Sequence, residues 1–369
     1  MSRPRSAQLD DVITGGSFRR ELVGDVHYGG ARLLEGVPID DWSLAGDFDA
    51  KIKTSASCTI VYQGDFAESV TPREATDALA PFGQELHLYM VVSTREYTER
   101  VKVGAYRIDD VPDAYDRTTQ LEGSLLTIGS VVQLSLLDRL CTVDTLFRSL
   151  EQPASLTSAW AEIARVSRLQ VTKTVPDVAI PNSVVYARNR LDTVQQLAAI
   201  LGGRAAMLSD GTLGIIPDEV GTPQISLTTG EPAGTVIGAG YYMSSREIQN
   251  VVIGDFEDDN GIGIHAEAAI TSGPLDVNGP FGERVVEYPD DQKQFVRTKA
   301  AADIAVKNHL AKVSRRGPYE IPISMVPDPR LEVGDIVSAE RPDGAVVGRV
   351  VKYSHPRKGA MQITVRTGE

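Results

Sequence analysis

The sequence predicts a mainly β protein of the α+β class, and three observations lead to that prediction. Short β-branched segments separated by turn residues recur in the N-terminal part of the chain and again after Tyr319. Two helical patterns and a hairpin lie between residues 153 and 217. One longer helical pattern, from Val296 to Val313, precedes the final strands. We therefore expect an N-terminal β-barrel or sandwich, an α+β insert, and a meander that closes a further β domain.

The composition is that of a globular protein. With 369 residues the chain is long enough for about two to four domains. No apolar run is long enough to cross a bilayer, and residues 1–16 lack the apolar core of a signal peptide. We therefore expect a protein that is made in a cytoplasm and leaves it only as part of an assembly.

Net charge and cysteine content further limit the classes of function that the protein can have. A net charge of −13 argues against a nucleic-acid binder, which needs a basic surface to neutralise phosphates. An acidic surface is compatible with DNA that slides past without adhering. Cys58 and Cys141 are the only cysteines, and both are flanked by strand-like residues. Two buried thiols are therefore expected rather than a disulfide.

The first 150 residues predict an arm followed by a β domain. Residues 1–17 are polar and predict the arm. From residue 18 to 150 the pattern is β, beginning with a hairpin that turns at Gly29-Gly30, and Gly46 to Asp49 is interpreted as an acidic turn. The further predicted strands are 50–62, 85–92, 99–108 and 124–137. A short helix is expected over 138–150.

Residues 151–217 predict the helix-hairpin insert. Thr157 to Leu169 places apolar residues on one helical face behind a Thr or Ser cap. Leu191 to Leu201 forms a second apolar stripe that Gly202-Gly203 ends. A hairpin follows, with strands at 204–208 and 213–216.

Residues 218–318 predict a second β section that ends in a long helix. Ser245 to Gly254 and His265 to Ile270 are strand-like, and 271–283 is expected to be a structured loop. The helix at 296–313 carries Ala302, Val306, Leu310 and Val313 on one face.

Residues 319–369 predict a β-meander. Pro327 and Pro329 carry no amide donor and must end the strand that begins at Tyr319. Asp343-Gly344 predicts a two-residue hairpin turn. A meander of this size cannot bury both of its faces, so it must close on strands from elsewhere in the chain.

The sequence contains no convincing set of metal-ligating residues. The acidic loop 255–261 superficially imitates a calcium loop, but glycine stands one place late and Ala266 occupies the closing position. We interpret it as a hairpin turn at Asn260-Gly261. The histidines have no pair at the spacing of helical zinc ligands, and His355 is interpreted as a turn residue and His309 as a half-exposed helix position. Their positions are His27, His87, His265, His309 and His355.

Catalytic motifs are not found either. The chain has no G-x-S-x-G, G-x-x-x-x-G-K-[ST] or H-E-x-x-H motif. Gly238-Ala239-Gly240 begins like a dinucleotide fingerprint, but Tyr242 follows where a small residue is needed. A carboxylate pair for glycoside cleavage stays open, because such residues lie far apart in sequence. Trp42 and Trp160 are expected in the core rather than as sugar platforms. We therefore assign no catalytic, cofactor-binding or metal residues.

The order of elements resembles the hub proteins of tailed-phage baseplates and tail tips. The resemblance covers roughly residues 25–366. Within this range the amino-acid sequence is most similar to minor tail proteins of phages that infect actinobacteria. The segments that carry it are Trp42 to Tyr62 (ending S-x-S-C-T-I-V-Y), V-G-A-Y-R-I at 103–108 with L-S-L-L-D-R-L at 134–140, Leu191 to Pro217, Ser245 to Gly254, and P-x-P-x-L-x-x-G-D-x-V at 327–337.

The resemblance implies two tube-like β-barrel or sandwich domains in each subunit and a homotrimeric ring. Such a ring continues the tail tube and converts six-fold into three-fold symmetry. The implied partners are the distal tail protein and tail tube above, the tape measure protein, and tip, fibre or receptor-binding proteins below. Genomic DNA would pass through the lumen without specific binding. The implied location is the tail tip of the virion, after assembly in the cytoplasm of the bacterial host.

The resemblance implies a structural protein rather than an enzyme. The sequence stops at Glu369, directly after the last hairpin, whereas many tail-associated relatives continue into a peptidase, glycosidase or fibre-like region. We therefore expect neither wall-degrading activity nor direct receptor binding. The alternative is a virion-associated cell-wall or polysaccharide hydrolase. A carbohydrate-binding adhesin is disfavoured by 6% aromatic content.

Overall fold

The computed structural model describes residues 6–63, 68–181, 183–230, 233–240, 245, 248–258, 261–293, 296–314, 320–341 and 344–367. Its helices are α1 (Ala7–Thr14), α2 (Ala159–Ser167), α3 (Arg190–Ile200), α4 (Asp290–Lys293) and α5 (Lys299–Val313). Its strands are β1 (Arg19–Tyr28), β2 (Ala31–Asp47), β3 (Thr54–Tyr62), β4 (Glu85–Ser93), β5 (Thr98–Leu121), β6 (Ser124–Asp138), β7 (Gly203–Met207), β8 (Leu213–Pro217), β9 (Ile225–Leu227), β10 (Val236–Ala239), β11 (Val251–Glu257), β12 (Gly263–Ala269), β13 (Val285–Glu287), β14 (Glu320–Met325), β15 (Ile336–Ala339), β16 (Val346–Pro356) and β17 (Met361–Thr367). The predicted α+β, mainly β class is confirmed.

The chain forms two compact units. Unit 1 comprises Met1–Ile180, Val184–Ala239 and Ile323–Val365, and unit 2 comprises Pro181–Ser183, Gly240–Pro322 and Arg366–Glu369. No helix in the described part of the chain combines the length and the apolar character needed to span a bilayer.

Six strands of unit 1 form a closed antiparallel barrel, called barrel 1 below. Their order is β1-β4-β5-β6-β3-β2, and pairing of β1 with β2 closes the sheet. Strand β4 illustrates why these residues form a barrel wall, since every second residue faces the interior. Its inward residues Leu86, Leu88, Met90 and Val92 have no exposed surface. The predicted N-terminal barrel or sandwich is thus a barrel.

The first hairpin turns at Gly29 and Gly30, as predicted. Their φ values are 59° and 86°, and Tyr28 pairs with Ala31 across the turn. Two successive residues with positive φ give the type I′ turn, whose twist matches that of the paired strands. Glycine adopts this conformation without steric cost, so the dipeptide alone places the turn.

Strand β2 connects barrel 1 with the C-terminal strands. Its first half pairs with β1 as far as Ile39, and on the same edge it then pairs with β16, where Leu44 lies opposite His355. The interpretation of Gly46 to Asp49 as a turn is wrong for Gly46 and Asp47, which continue the strand. Glycine is needed at position 46 for another reason, because a Cβ there would lie 2.4 Å from Cε1 of Tyr353.

A second, barrel-like arrangement of strands, called barrel 2, contains the C-terminal meander. Its strand order is β10-β14-β17-β16-β15-β9. The backbone N–H groups of Thr235 and Val236 both donate to the carbonyl of Thr228, which joins the ends of β9 and β10. The meander therefore closes on strands from an earlier part of the chain, as predicted.

One predicted turn of the meander is wrong in length. Pairing between β15 and β16 ends at Ala339 and Val346, so the connection spans 340–345 where the sequence predicts two residues, Asp343-Gly344. Asp343 itself lies outside the described residues. The N–H of Glu340 donates to the carbonyl of Leu227, so the chain continues along β9 before it turns back.

The insert contains the predicted helices and hairpin. Helices α2 and α3 pack on the β7–β8 hairpin, and Trp160, Ile163 and Leu197 have no exposed surface. The side chain of Ser158 caps α2 by accepting from the N–H of Ala161. The segment therefore folds from the apolar stripes and caps that predict it.

The prediction of a short helix over 138–150 is wrong. Only a 3-10 helix at Arg139–Thr142 forms, because the Asp138 side chain accepts from the N–H of Leu140. The chain then becomes extended, and Leu146 forms an isolated bridge with Asn189.

The segment predicted as an N-terminal arm contains helix α1. Leu9 and Ile13, four residues apart and therefore on one face, are buried. The Ser6 side chain caps the helix by accepting from the N–H of Leu9. The pattern is too short to stand out in the sequence, and its burial comes from tertiary packing.

Unit 2 contains a three-stranded sheet and α5. The strand order is β12-β11-β13. The helix begins at Lys299, behind a Thr298 cap, rather than at Val296. The apolar face predicted for it is confirmed, since Ala302, Val306, Leu310 and Val313 are all buried.

Candidate functional site

The structured loop after β12 is held by one buried side chain of unit 2, Asn250. Its Nδ2 donates to the carbonyls of Leu275 and Gly282 at 3.0 and 2.8 Å. Its Oδ1 accepts from the N–H of Arg284 at 2.7 Å. The side chain has no exposed surface, so these three bonds replace all contact with water. Asn250 therefore fixes the loop and is not available as a reactive group.

A cluster of cations surrounds Phe48 where β2 passes from barrel 1 to barrel 2. The guanidinium carbons of Arg204 and Arg349 lie 4.6 and 4.9 Å from the ring centroid, and Nζ of Lys53 lies 5.6 Å away. Phe48 and Arg349 are almost fully buried. These residues come from both barrels and the insert, so the ring joins three parts of unit 1 through packing and cation–π contacts.

The chain itself satisfies these cations. Nζ of Lys53 donates to the carbonyls of Phe48 and Ala50, each at 2.6 Å. Arg204 pairs with Asp49 at 2.7 Å. Burial, with a smaller effect from the charge of Arg204, lowers the pKa of Lys53 to about 8. The cluster is therefore a structural junction, and its amine is committed to two backbone acceptors.

A second ionic cluster lies in the insert, around Glu162. Its carboxylate accepts from Arg165 at 2.8 Å and from the hydroxyl of Tyr186 at 2.7 Å. Burial alone would raise the pKa of Glu162, but the hydrogen bonds from Arg165 and Tyr186 outweigh it and lower that pKa. A general acid needs a raised pKa, so this carboxylate is unsuited to that role.

A third cluster anchors helix α1. The guanidinium of Arg330 pairs with Asp328 at 2.8 Å and with Asp10 of the helix. At the start of the helix, Ser6 Oγ donates to Glu99 of β5 at 2.6 Å. Arg330 and Asp328 are buried. Helix α1 thus connects the loop between β14 and β15 with barrel 1.

One cavity of about 460 Å³ lies in unit 1, and Lys53, Tyr353 and Gln362 are among its lining residues. Asp47 is the only carboxylate in that lining, and it pairs with Lys352 at 3.3 Å. Glycoside cleavage by the usual route needs two carboxylates across the scissile bond. The lining of this cavity therefore does not supply the pair that the hydrolase alternative requires.

The acidic loop forms the hairpin that the sequence predicts, between β11 and β12. Asp255 pairs with His265 across the strands, with 2.7 Å between a carboxylate oxygen and Nδ1. Gly261 has a φ of 77°, as the turn requires, while Asp259 and Asn260 lie outside the described residues. Among the residues that the structure describes, no three His, Cys, Asp or Glu side chains converge to hold a metal ion.

The interpretation of His355 as a turn residue is wrong. It is buried in β16, packs edge-on against Trp42 at 5.1 Å, and its Nε2 lies 2.7 Å from the guanidinium of Arg20. Arginine can only donate, so Nε2 accepts and the ring is neutral with its proton on Nδ1. The pairing with β2 that buries His355 is not visible in the local sequence.

The remaining histidines and both tryptophans pack against other side chains. His27 and His87 stack on barrel 1 with ring centroids 4.1 Å apart, and His309 packs edge-on against Tyr288 at 5.4 Å. Trp42 and Trp160 are buried in the core, as predicted. Gly238 and Ala239 lie in β10 and Gly240 follows it, while residues 241–244 lie outside the described part of the chain.

Both cysteines are free thiols, and Cys58 is buried as predicted, whereas the prediction of burial is wrong for Cys141, which is only partly buried. Burial raises the pKa of Cys58 to about 12. Burial, together with the charge of Asp138, raises the pKa of Cys141 to about 11. A nucleophilic cysteine needs a lowered pKa, so neither thiol is activated.

Strands β5 and β6 extend beyond barrel 1 as a two-stranded ribbon. Strand β4 stops pairing with β5 at Arg107, and β3 stops pairing with β6 at Ser130. The two strands remain paired as far as the turn at Glu122 and Gly123, whose φ values are 50° and 82°. Within the described residues, no strand pairs with either outer edge of this ribbon. The sequence predicts both strands but ends the first at Ile108, so it misses the ribbon.

The base of the ribbon is fixed by Asp116. Its carboxylate accepts hydrogen bonds from Ser69, Thr71 and Ser130 at 2.7, 2.6 and 2.8 Å and pairs with Arg73 at 2.8 Å. Burial alone would raise its pKa, but these donors outweigh it and lower the pKa of Asp116. The carboxylate therefore ties the loop at 68–73 to the ribbon.

Solved structures match nearly the whole chain. A tail protein from Neisseria meningitidis gives a TM-score of 0.61 at 12% identity, covering 94% of this chain and 96% of that one. The 43 kDa tail protein of prophage MuSo2 from Shewanella oneidensis gives 0.58 at 13% identity, covering 94% and 98%. The chain has a phage tail-protein fold.

The tail-protein fold extends to a further structure. A chain of the Francisella PdpA-VgrG complex gives a TM-score of 0.51 at 8% identity, covering 95% of this chain and 58% of that one. No family model and no curated protein matches the sequence. The likeness therefore lies in the arrangement of elements rather than in individual side chains.

Proposed function

We propose that this chain is a structural hub protein of a phage tail tip or baseplate and acts without catalysis. It forms a homotrimeric ring that continues the tail tube, converts six-fold into three-fold symmetry and anchors the tip proteins. The observation that carries the proposal is the pair of barrels that pairing between β2 and β16 joins. Three such subunits place six barrels around one axis, which matches a six-fold tube above and a three-fold tip below.

The proposal gives the partners their places. The distal tail protein and tail tube dock above, the tape measure protein ends inside the ring, and tip, fibre or receptor-binding proteins attach below. The net charge of −13 favours a lumen that genomic DNA passes without adhering, since like charges repel. The host is proposed to be an actinobacterium on the sequence resemblance alone, with assembly in its cytoplasm.

The proposal is supported by the surroundings of the ionisable clusters. The carboxylates of Glu162 and Asp116 have lowered pKa values and engaged oxygens, and Lys53 bonds to two backbone carbonyls. These clusters are what a rigid assembly component needs.

The test is the mass and shape of the purified chain, by light scattering and negative-stain imaging. We expect a particle of three chains, each of 39.8 kDa, with three-fold symmetry and an open centre. A closed dimer or a solid particle would contradict the ring. Release of soluble fragments from purified peptidoglycan would favour the hydrolase alternative, so that assay is run on the same sample.

A further inference from the structure

The tip of the β5–β6 ribbon, residues 118–128, exposes large apolar side chains. Leu121, Leu125 and Ile128 are 57%, 72% and 47% exposed. An isolated two-stranded ribbon is marginally stable in water, and it gains stability when another surface covers its apolar side chains. The tip therefore has the character of a contact surface.

Protection against unwanted pairing is confined to the base of the ribbon. The outer edge of β5 carries the exposed Asp109, Asp110 and Asp113, together with Pro112. Charges and prolines on an edge strand block pairing with other chains. The tip carries a single charge, Glu122, which lies in its turn. The tip, with this one charge in its turn, is therefore the part of the ribbon that is left open to a partner.

A second apolar surface lies at the same end of barrel 1. Tyr28, Leu33 and Phe82, called the rim patch below, are 41%, 42% and 65% exposed. Arg107, the last residue of β5 that pairs with β4, donates to the carbonyl of Gly83 at 3.1 Å. The rim patch therefore lies beside the point where the ribbon leaves the barrel.

The size of the tip argues against a contact between two tips. At a rise of about 3.3 Å per residue and a strand separation of about 4.8 Å, each face of the tip measures roughly 17 by 10 Å. That is far below the roughly 800 Å² that each partner buries in a stable interface. The tip therefore needs a larger receiving surface and additional contacts elsewhere in the same assembly.

We propose that the ribbon tip of one copy packs on the rim patch of a second copy. The inference rests on the proposed ring, in which every subunit has the same orientation to the axis. The base of each ribbon adjoins the rim patch of its own subunit, so a ribbon that reaches across to the next copy lets each subunit give a ribbon to one neighbour and receive one from the other. In a chain with a net charge of −13, two apolar surfaces that carry only the charge of Glu122 between them are also where copies approach with little repulsion.

Cysteine cross-linking tests the contact directly. In a Cys141→Ser background, Phe82→Cys is combined with Leu125→Cys, and the chain is oxidised mildly and separated without reductant. The matched control combines Leu125→Cys with Val347→Cys, another half-exposed apolar residue of unit 1. We expect covalent dimers and trimers but no larger species from the first pair, and at least tenfold less product from the control.

The outcomes separate this contact from the ring itself. Leu125→Asp should raise the concentration needed for assembly at least tenfold, while Val347→Asp should leave it unchanged, with Trp fluorescence as a check on folding. A three-fold particle that forms no disulfide between the thiols introduced by Phe82→Cys and Leu125→Cys, and that tolerates Leu125→Asp, overturns the inference and leaves the proposed ring standing. Cross-linking through Leu125→Cys alone would show tip-to-tip pairing and also overturn it. A chain that stays monomeric and uncross-linked at every concentration contradicts both.

Discussion

Replacing Lys53 by methionine should change how the stability of unit 1 depends on pH. The folded protein lowers the pKa of Lys53 from 10.5 to about 8 because burial disfavours the ammonium. Below pH 8 Lys53 is charged in both the folded and the unfolded chain. The full free-energy cost of burying the ammonium therefore lowers the stability of the folded state. As the pH rises towards 10.5 the folded chain loses its proton first, and the cost disappears. The contribution of Lys53 to the free energy of unfolding therefore increases with pH between about 8 and 10.5.

The magnitude follows from the size of the shift. A difference of 10.5 minus about 8 is about 2.5 pKa units, and each unit corresponds to about 1.4 kcal/mol. The free energy of unfolding should therefore rise by about 3 kcal/mol more in the wild type than in Lys53→Met between pH 8 and 10.5. Lys53 is only 4% exposed, so solvent screening reduces this value little.

Urea unfolding at several pH values measures this difference. Trp42 and Trp160, the only tryptophans, both lie in unit 1, so their fluorescence reports on the unit that contains Lys53. Other lysines, tyrosines and thiols that titrate in this window are common to both variants and cancel in the comparison. A wild-type minus variant difference that stays constant from pH 8 to 10.5 would refute the reasoning. It would mean that the two carbonyls stabilise the ammonium as well as water does.

Three further perturbations test other parts of the structure. Leu9→Ala should lower the stability of unit 1 by about 2–5 kcal/mol in the same assay, whereas exposed Asp11→Ala should change it by less than about 0.5 kcal/mol; equal effects would mean that α1 is not docked. Asn250→Leu leaves the backbone groups that it binds without partners, so the loop after β12 should be cleaved by protease at least tenfold faster, and an unchanged rate would contradict its role. Asp116→Asn should speed hydrogen exchange in the loop at 68–73. Because the pKa of Asp116 is lowered, acidification below its unfolded value of about 3.8 should do the same to the wild type and not to the variant.

Local patterns predict the elements whose formation depends on neighbouring residues. The turn at Gly29-Gly30 follows from two positive φ angles, which glycine adopts at no cost. The face of α5 follows from the helical spacing of Ala302, Val306, Leu310 and Val313. Both predictions are confirmed because no distant residue is needed to decide them.

The sequence does not predict which distant strands pair with each other. Gly46 is interpreted as a turn residue, although its lack of a side chain serves close packing against Tyr353, some three hundred positions later in the chain. His355 stands before a proline and is interpreted as a turn residue, although pairing with β2 buries it. Each interpretation is reasonable locally and is overridden by a partner that only the tertiary structure reveals.

The pairing of strand β2 also closes the junction between the two barrels. Because β2 pairs with β3 along one edge and with β16 along the other, its edges provide no opening between the barrels at that point. The cations that meet there close the junction with the insert around Phe48, and each of them binds a carbonyl or a carboxylate of the same chain. The buried polar groups at this junction hold two barrels in one fixed relation, whereas the ribbon tip and the rim patch are among the places where apolar groups are exposed, and they form the contact proposed between copies.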